Sequence, residues 1–417
     1  MGSLYIVCVF SRSHLFASSL IVQNFRVRAY LIRWIAGMVA VACCLGPWVR
    51  HGLAQDAGDG QQEEKKWRED AFEKVQLPQR MSILSRGTFA DTEEEKLFVD
   101  FYTKALFPRM TQKKYWGRQP WIGGKGPDMS ADLVNMIRND LKKASESRDN
   151  QQVFQRLSEI ALESMSKLAK GADYHPATRY NAMLVISELT IPEAIPILLD
   201  TVKDPKQLEA VKVAAMLGLI SQAGHGSISD ADAQRQVTDA MLTIAARPVP
   251  KDDRADGVCW IKGQAAQVLG LLGSPGRDNN VVVALQNMAG DKSLPYTQRC
   301  YAAQALGKLN YGGATVPAAA CLQTLAGLAD DILQSEKNEP NRRQLLGDVQ
   351  YLSVGTKAIA ALAKTAPEQQ LAETLQDNVL DPLQKSLIDP RGTQDTIAKA
   401  IDDAINALAS VVKKASK

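Results

Sequence analysis

Four stretches of the chain repeat one order of apolar and polar residues over twelve positions: TRYNAMLVISEL (178–189), EAVKVAAMLGLI (209–220), IKGQAAQVLGLL (261–272) and QRCYAAQALGKL (298–309). In this alignment the fifth position holds Ala182, Val213, Ala265 and Ala302, and the ninth holds Ile186, Leu217, Leu269 and Leu306. The twelfth holds Leu189, Ile220, Leu272 and Leu309. Apolar residues at i, i+4 and i+7 describe one buried face of an α-helix. The small residues at the fifth and sixth positions allow a second helix to approach closely. A helical unit that recurs along a chain buries its core only by stacking on its neighbours, which predicts an α-solenoid.

Extended along the chain, the same periodicity predicts six helical hairpins. Their first helices fall near 151–169, 192–202, 230–246, 279–289, 316–334 and 368–386. Their second helices fall near 176–189, 206–221, 259–272, 296–309, 342–364 and 394–414. Pro176 and Pro192 suit first helical turns, where a missing N–H costs nothing. Gly171, Gly273, Gly290 and the pair Gly312 and Gly313 punctuate the ends. Upstream, Thr92 followed by Glu95 suggests a capping box for a helix that stops at Pro108, and another helix opens near Ser130. A short helix over 65–75 follows a polar, Gly-rich stretch at 55–64. The expected plan is a signal region at 1–54, a mostly disordered leader at 55–90, N-terminal helices with a Trp-rich loop at 91–150, and a solenoid over 151–417.

A Pro-led helix, an Asp-Pro, and then [Val/Ile]-[Arg/Lys]-x-x-Ala-Ala-x-x-Leu-Gly-x-Leu resembles HEAT repeats, in particular short bacterial ones. The motif covers 151–309, and helical pairing alone covers 310–414. The resemblance implies an all-α, right-handed α–α superhelix whose second helices line a concave, protein-binding face. It also implies that a basic residue at the second motif position braces the preceding turn. Arg179, Lys262 and Arg299 occupy that position, while Ala210 departs from it, so one junction is expected to lack the brace.

Charge narrows the partner. The formal net charge is +3, but residues 1–54 hold five Arg and no Lys, Asp or Glu, so removing these five positive charges leaves −2. A slightly acidic body lacks the footprint of a nucleic-acid binder. Arg26, Arg28 and Arg33 precede an apolar run from Trp34 to Val49, and Gly52 and Ala54 supply small residues at −3 and −1. This order describes an export signal cleaved between Ala54 and Gln55, and places the mature protein in the periplasm or outside the cell. Membrane attachment is expected only as an uncleaved signal anchor, should cleavage fail. Residues 1–25 add a second apolar stretch before the Arg-rich region, and a start assigned too far upstream accounts for them. Beyond residue 54 the cysteines are Cys259, Cys300 and Cys321, with no CxxC spacing. They read as buried thiols, and the pairing of any two of them stays open.

No catalytic residue, metal ligand or cofactor is assigned. The chain has no HExxH, P-loop, GxGxxG or GxSxG pattern, and only His175 and His225 lie beyond the signal region. His175, directly before Pro176, reads as a helix-entry residue. The loop at 248–257 reads as a tolerated insertion. The one segment with binding chemistry is 113–126, which brings together Tyr115, Trp116, Arg118, Trp121 and Lys125 among glycines and a proline. Its Trp residues either plug the open end of the solenoid or form a ligand platform. The expected function is an exported non-catalytic scaffold for an unidentified protein or peptide. The alternative is an envelope polymer or glycan bound by the Trp loop, and an enzyme is the least favoured reading.

Overall fold

The computed structural model describes residues 66–116, 129–147, 150–252, 254–312 and 314–415. All of them fall in one unit, Gly60–Gln119 with Lys125–Lys417. The described residues contain helices and no strand. Residues 66–77 are not helical, so the helix expected over 65–75 does not form across its described residues, and the first helix among the described residues is α1 (Arg80–Arg86). α2 (Thr92–Asp100) is capped by Asp91, whose carboxylate accepts from the Glu94 N–H at 2.8 Å, so Thr92 is the first helical residue rather than the cap. The Glu94 side chain, not that of Glu95, reaches back to the Ala90 N–H at 2.6 Å.

α2 continues through a π-helical stretch (Phe101–Leu106) into a 3-10 turn (Phe107–Thr111) that contains Pro108. The far end of the chain repeats this device. α14 (Ala366–Glu373) runs through a π stretch (Thr374–Leu380) into α15 (Asp381–Ile388), with Pro382 in its first turn. A proline inside a helical run cannot donate to the carbonyl four residues back, and its ring crowds that carbonyl. Widening the preceding turn lets the rod continue past it.

Between these ends lie paired helices. α3 (Met129–Ser145) precedes five hairpins: α4 (Gln152–Lys170) with α5 (Pro176–Glu188), α6 (Ala194–Lys203) with α7 (Glu209–Gly224), α8 (Ala231–Ala246) with α9 (Ala255–Leu272), α10 (Asn280–Gly290) with α11 (Tyr296–Leu306), and α12 (Ala318–Glu336) with α13 (Arg342–Ala360). The α14–α15 rod pairs with α16 (Gln394–Ala415) as the sixth. Each first helix packs on the second helix of its hairpin, and α5, α7, α9, α11, α13 and α15 pack side by side in chain order. The result is an all-α superhelical solenoid of two layers, with its core between them.

The burial pattern corrects the register of one repeat. Leu217 is only half-buried, whereas Leu219 is 0% exposed. Moving the second copy two residues downstream, to VKVAAMLGLISQ (211–222), aligns burial in all four copies. The ninth position then holds Ile186, Leu219, Leu269 and Leu306, all buried. The seventh holds Leu184, Leu217, Gln267 and Gln304, all half-exposed. The shift also replaces Ala210 at the second position with Lys212, whose side chain is 3% exposed.

That second position carries the polar joints of the array. Arg299 Nε donates to the Ala289 carbonyl at the end of α10 at 2.8 Å, and its Nη2 meets Asp331 on α12 at 2.9 Å. Lys262 Nζ donates to the Arg247 carbonyl after α8 at 2.7 Å and lies 3.7 Å from Asp291 after α10. Arg179 donates to the Ala169 carbonyl near the end of α4 at 3.3 Å and to the Gln207 side chain before α7. Each side chain therefore caps the preceding helix, whose last carbonyls lack partners, and reaches into the next hairpin. Lys212 instead pairs with Glu209 in its own helix at 3.2 Å, beside Gly257 of α9.

Close approach in the second layer depends on small residues. A Cβ on Gly307 would meet the Val354 carbonyl oxygen at 2.5 Å, and one on Gly355 would meet the Ala303 carbonyl oxygen at 2.3 Å. Both distances are between α11 or its end and α13, so neither neighbour is a flexible side-chain tip. Gly347, also in α13, has open space around its missing Cβ. Gly355→Ala is therefore expected to destabilise by about 1–3 kcal/mol through overpacking. Gly347→Ala is expected to stabilise by about 0.5–1 kcal/mol through helix propensity alone. Urea unfolding of the two variants beside the parent checks this opposite sign.

Candidate functional site

Two surfaces present chemistry, and the first is the N-terminal strap that covers the opening hairpin. The Arg68 N–H donates to the Asp173 carbonyl at 3.0 Å, which lays the strap along the turn between α4 and α5. Arg68 bridges Asp70 at 2.8 Å and Asp173 at 3.4 Å. The Tyr174 hydroxyl donates to Asp70 at 2.8 Å, and burial followed by this carboxylate pushes the phenol up to about 12. Gln112 donates to the Asp70 carbonyl at 2.7 Å, and Thr178 donates to the Met110 carbonyl at 3.0 Å. Residues 66–116 are thus tied to the first hairpin by side chains rather than by helix packing alone.

Trp116 sits in that seam. Its indole N–H donates to the Thr111 carbonyl at 2.9 Å, and its ring stacks on His175 with centroids 4.5 Å apart and planes 5° from parallel. Trp67 meets the same imidazole edge-on at 5.5 Å. His175 caps α5, its Nδ1 accepting from the Ala177 N–H at 3.2 Å, and burial lowers its pKa to about 4. The imidazole is a neutral packing and capping group at physiological pH. Tyr115 lies half-buried beside Lys114. Arg118, Trp121 and Lys125 lie outside the described residues, as do Ala54 and Gln55.

A cleft of about 350 Å³ opens between the strap and α4, lined by Arg68, Asp70, Ser164, Lys167, Asp173 and Tyr174 among others. Its charges are already matched within the protein, Arg68 by Asp70 and Asp173, and Lys167 by Glu163 at 2.7 Å. Among the described residues no group of three or more His, Cys, Asp or Glu is placed to hold a metal ion. Cys259, Cys300 and Cys321 are all free and buried. Burial pushes the Cys321 thiol up to about 11 and the Cys300 thiol well above its ordinary value, which removes nucleophilic thiolate at neutral pH.

The second surface is the outer edge of the second layer. Positions three and seven of the motif, spaced four apart on each helix, stay half-exposed in α5 and α7: Tyr180 and Leu184, Val213 and Leu217. Trp260 and Leu271 on α9 and Gln304 on α11 continue the line. The Tyr301 and Tyr351 rings close it with centroids 5.3 Å apart, next to the exposed Val354. Glu188, at one end, is paired with Arg138 of α3 at 2.8 Å. Lys308 keeps contact with solvent, yet surrounding protein pulls its ammonium below the ordinary range. The sequence reading missed this line because the ninth position, not the seventh, was followed along the repeats. The recurring half-apolar seventh position was the available signal.

The chain matches no family model and no curated protein. Among the described residues no helix is long and apolar enough to cross a membrane.

One titratable group sits under the aromatic end of the line. Asp348 is 4% exposed on α13 beside Cys300 of α11, and burial, reinforced by Glu336 and opposed by a hydrogen bond with Thr297, raises its pKa to about 7. The charged carboxylate is disfavoured in the folded state, so the penalty is absent below pH ~4, grows between pH ~4 and ~7, and is complete above. Asp348→Asn should therefore change stability little at pH 4. At pH 8 it should stabilise by roughly 2–4 kcal/mol. Thermal melts of the pair at both pH values check the sign.

Proposed function

We propose that this chain is an exported, non-catalytic scaffold that binds an extended protein segment along the outer edge of its second helices. The observation that carries the reading is the line from Tyr180 and Leu184 through Leu217 and Trp260 to Tyr301 and Tyr351. It crosses five successive helices, is rich in aromatic and apolar side chains, and is poor in charge. Partly exposed apolar and aromatic side chains that recur on neighbouring helices favour an interaction site. Half-exposed Tyr and Trp supply rigid contact area at little entropic cost.

Geometry favours an extended ligand. Packed helices lie roughly 8–10 Å apart, and an extended chain in the polyproline-II conformation rises about 3.1 Å per residue with about three residues per turn, so that every third side chain faces the same way. Every third residue of such a ligand meets the next helix. The partner is therefore an uncharged segment with an apolar side chain about every third position, whose intervening main-chain amides can bond Gln267 and Gln304. Export rests on the Arg-flanked apolar run and on Gly52 and Ala54 ahead of Gln55. The resemblance to HEAT repeats adds an associational argument for protein binding.

Selection from a displayed random-peptide library tests this directly. The parent protein is expected to enrich sequences with apolar residues at spacing three. A Leu184→Lys, Leu217→Lys variant is expected to lose them while melting within a few degrees of the parent, since both side chains are half-exposed. No enrichment by the parent, or enrichment unchanged in the variant, would rule the reading out.

A further inference from the structure

A second interaction surface stands apart from the second-layer line and rests on different residues and the opposite polarity. Phe72 is 37% exposed on the strap. The Arg109 guanidinium lies over its ring at 5.3 Å, and Lys114 Nζ lies 5.9 Å from the same ring and 4.9 Å from the Tyr115 ring. Arg68, Arg80, Arg86 and Lys104, in the same segment, each have a carboxylate partner. Among the described residues Arg109 and Lys114 have none, and Arg109 Nε is buried without a hydrogen-bond acceptor. Among the described residues these two cations thus share the Phe72 ring without an ion-pair partner, and a cation beside hydrocarbon attracts an anion more strongly than one fully in water.

We propose that Phe72, Arg109, Lys114 and Tyr115 form a docking surface for an acidic peptide segment of a partner protein. Charge complementarity sets the sign of the ligand. A cation already lies over each ring, which leaves less aromatic face for a neutral sugar to stack on. The exposed Lys114 beside the exposed Phe72 ring offers a positive charge next to an apolar face, which fits carboxylates interleaved with apolar side chains. The body beyond residue 54 carries a formal charge of −2, so a long polyanion is not favoured by the field of the whole molecule, whereas a short acidic segment needs only this local patch.

The test uses the full chain and a fluorescein-labelled peptide of alternating Glu and Leu, read by fluorescence anisotropy. A peptide with Gln in place of Glu is the neutral control. The acidic peptide is expected to bind about tenfold or more tightly than the control, and to weaken steeply with added salt. Lys114→Gln should weaken binding by about threefold, and Lys114→Arg should keep it. The Arg109→Gln, Lys114→Gln double variant should weaken binding by about tenfold or more, and Lys203→Gln, at an exposed lysine elsewhere, should change nothing. Lys114 is exposed, so the single variant keeps its fold and decides the matter even if the double variant does not. Parent-like binding by Lys114→Gln, equal binding of the Gln peptide, or tighter binding of heparin or of phosphatidylglycerol vesicles would overturn the proposal.

Discussion

A cation buried at the joint between successive hairpins is the interaction on which the rest of this structure depends. Arg299 has a side chain only 3% exposed, and a buried charge is tolerated only when it is paired and hydrogen-bonded. Its two bonds satisfy both needs with groups from different hairpins, a helix-end carbonyl behind it and the Asp331 carboxylate ahead of it. Burial alone would raise the Asp331 pKa, but Lys292 and Arg299 together bring it below the ordinary carboxylate value. Hydrophobic stacking in a solenoid is tolerant of sliding, because one Ala/Leu face resembles the next. A directional joint at a fixed motif position sets which turn meets which.

That fixed register has consequences on both sides of the second layer. Inward, it brings Gly307 and Gly355 against backbone that leaves no room for a side chain. Outward, it keeps the seventh position half-exposed in all four copies, Leu184, Leu217, Gln267 and Gln304. The side chains there cannot be covered by neighbouring helices, since those neighbours are already packed edge to edge. The half-exposed line is thus a by-product of the same packing that stabilises the array. The N-terminal strap completes the molecule differently, covering the open edge of the first hairpin with hydrogen bonds and with Trp67 and Trp116 around His175.

The helical hairpins were legible because a helix face writes a strong period into sequence, and the six pairs lie within a few residues of their expected spans. The register of the second copy was not. EAVKVAAMLGLI contains apolar residues at almost every position, so periodicity fits it in more than one frame, and only the burial of Lys212 and Leu219 selects the right one. Gln222 hid the frame further, because it fills the twelfth position usually held by Leu and donates to the Ile191 carbonyl at 3.1 Å. The strap was illegible for a different cause. Residues 66–77 have no period of their own, and their order comes from long-range partners such as Asp173, Tyr174 and Thr111. Of the candidate loop, Tyr115 and Trp116 could be placed, and the stacking of Trp116 on a helix-capping histidine is a tertiary fact that no local pattern announces.

A double-mutant cycle between Arg299 and Asp331, using Arg299→Met and Asp331→Asn, tests the central claim most directly. If the cation locks neighbouring hairpins together, the coupling energy measured by urea unfolding should be about 1.5–3 kcal/mol at pH 7. It should decline as acid protonates Asp331, whose depressed pKa places that loss below the ordinary carboxylate range. A coupling within about 0.5 kcal/mol of zero, the scatter expected of independent sites, would contradict the account and leave apolar stacking alone to set the register.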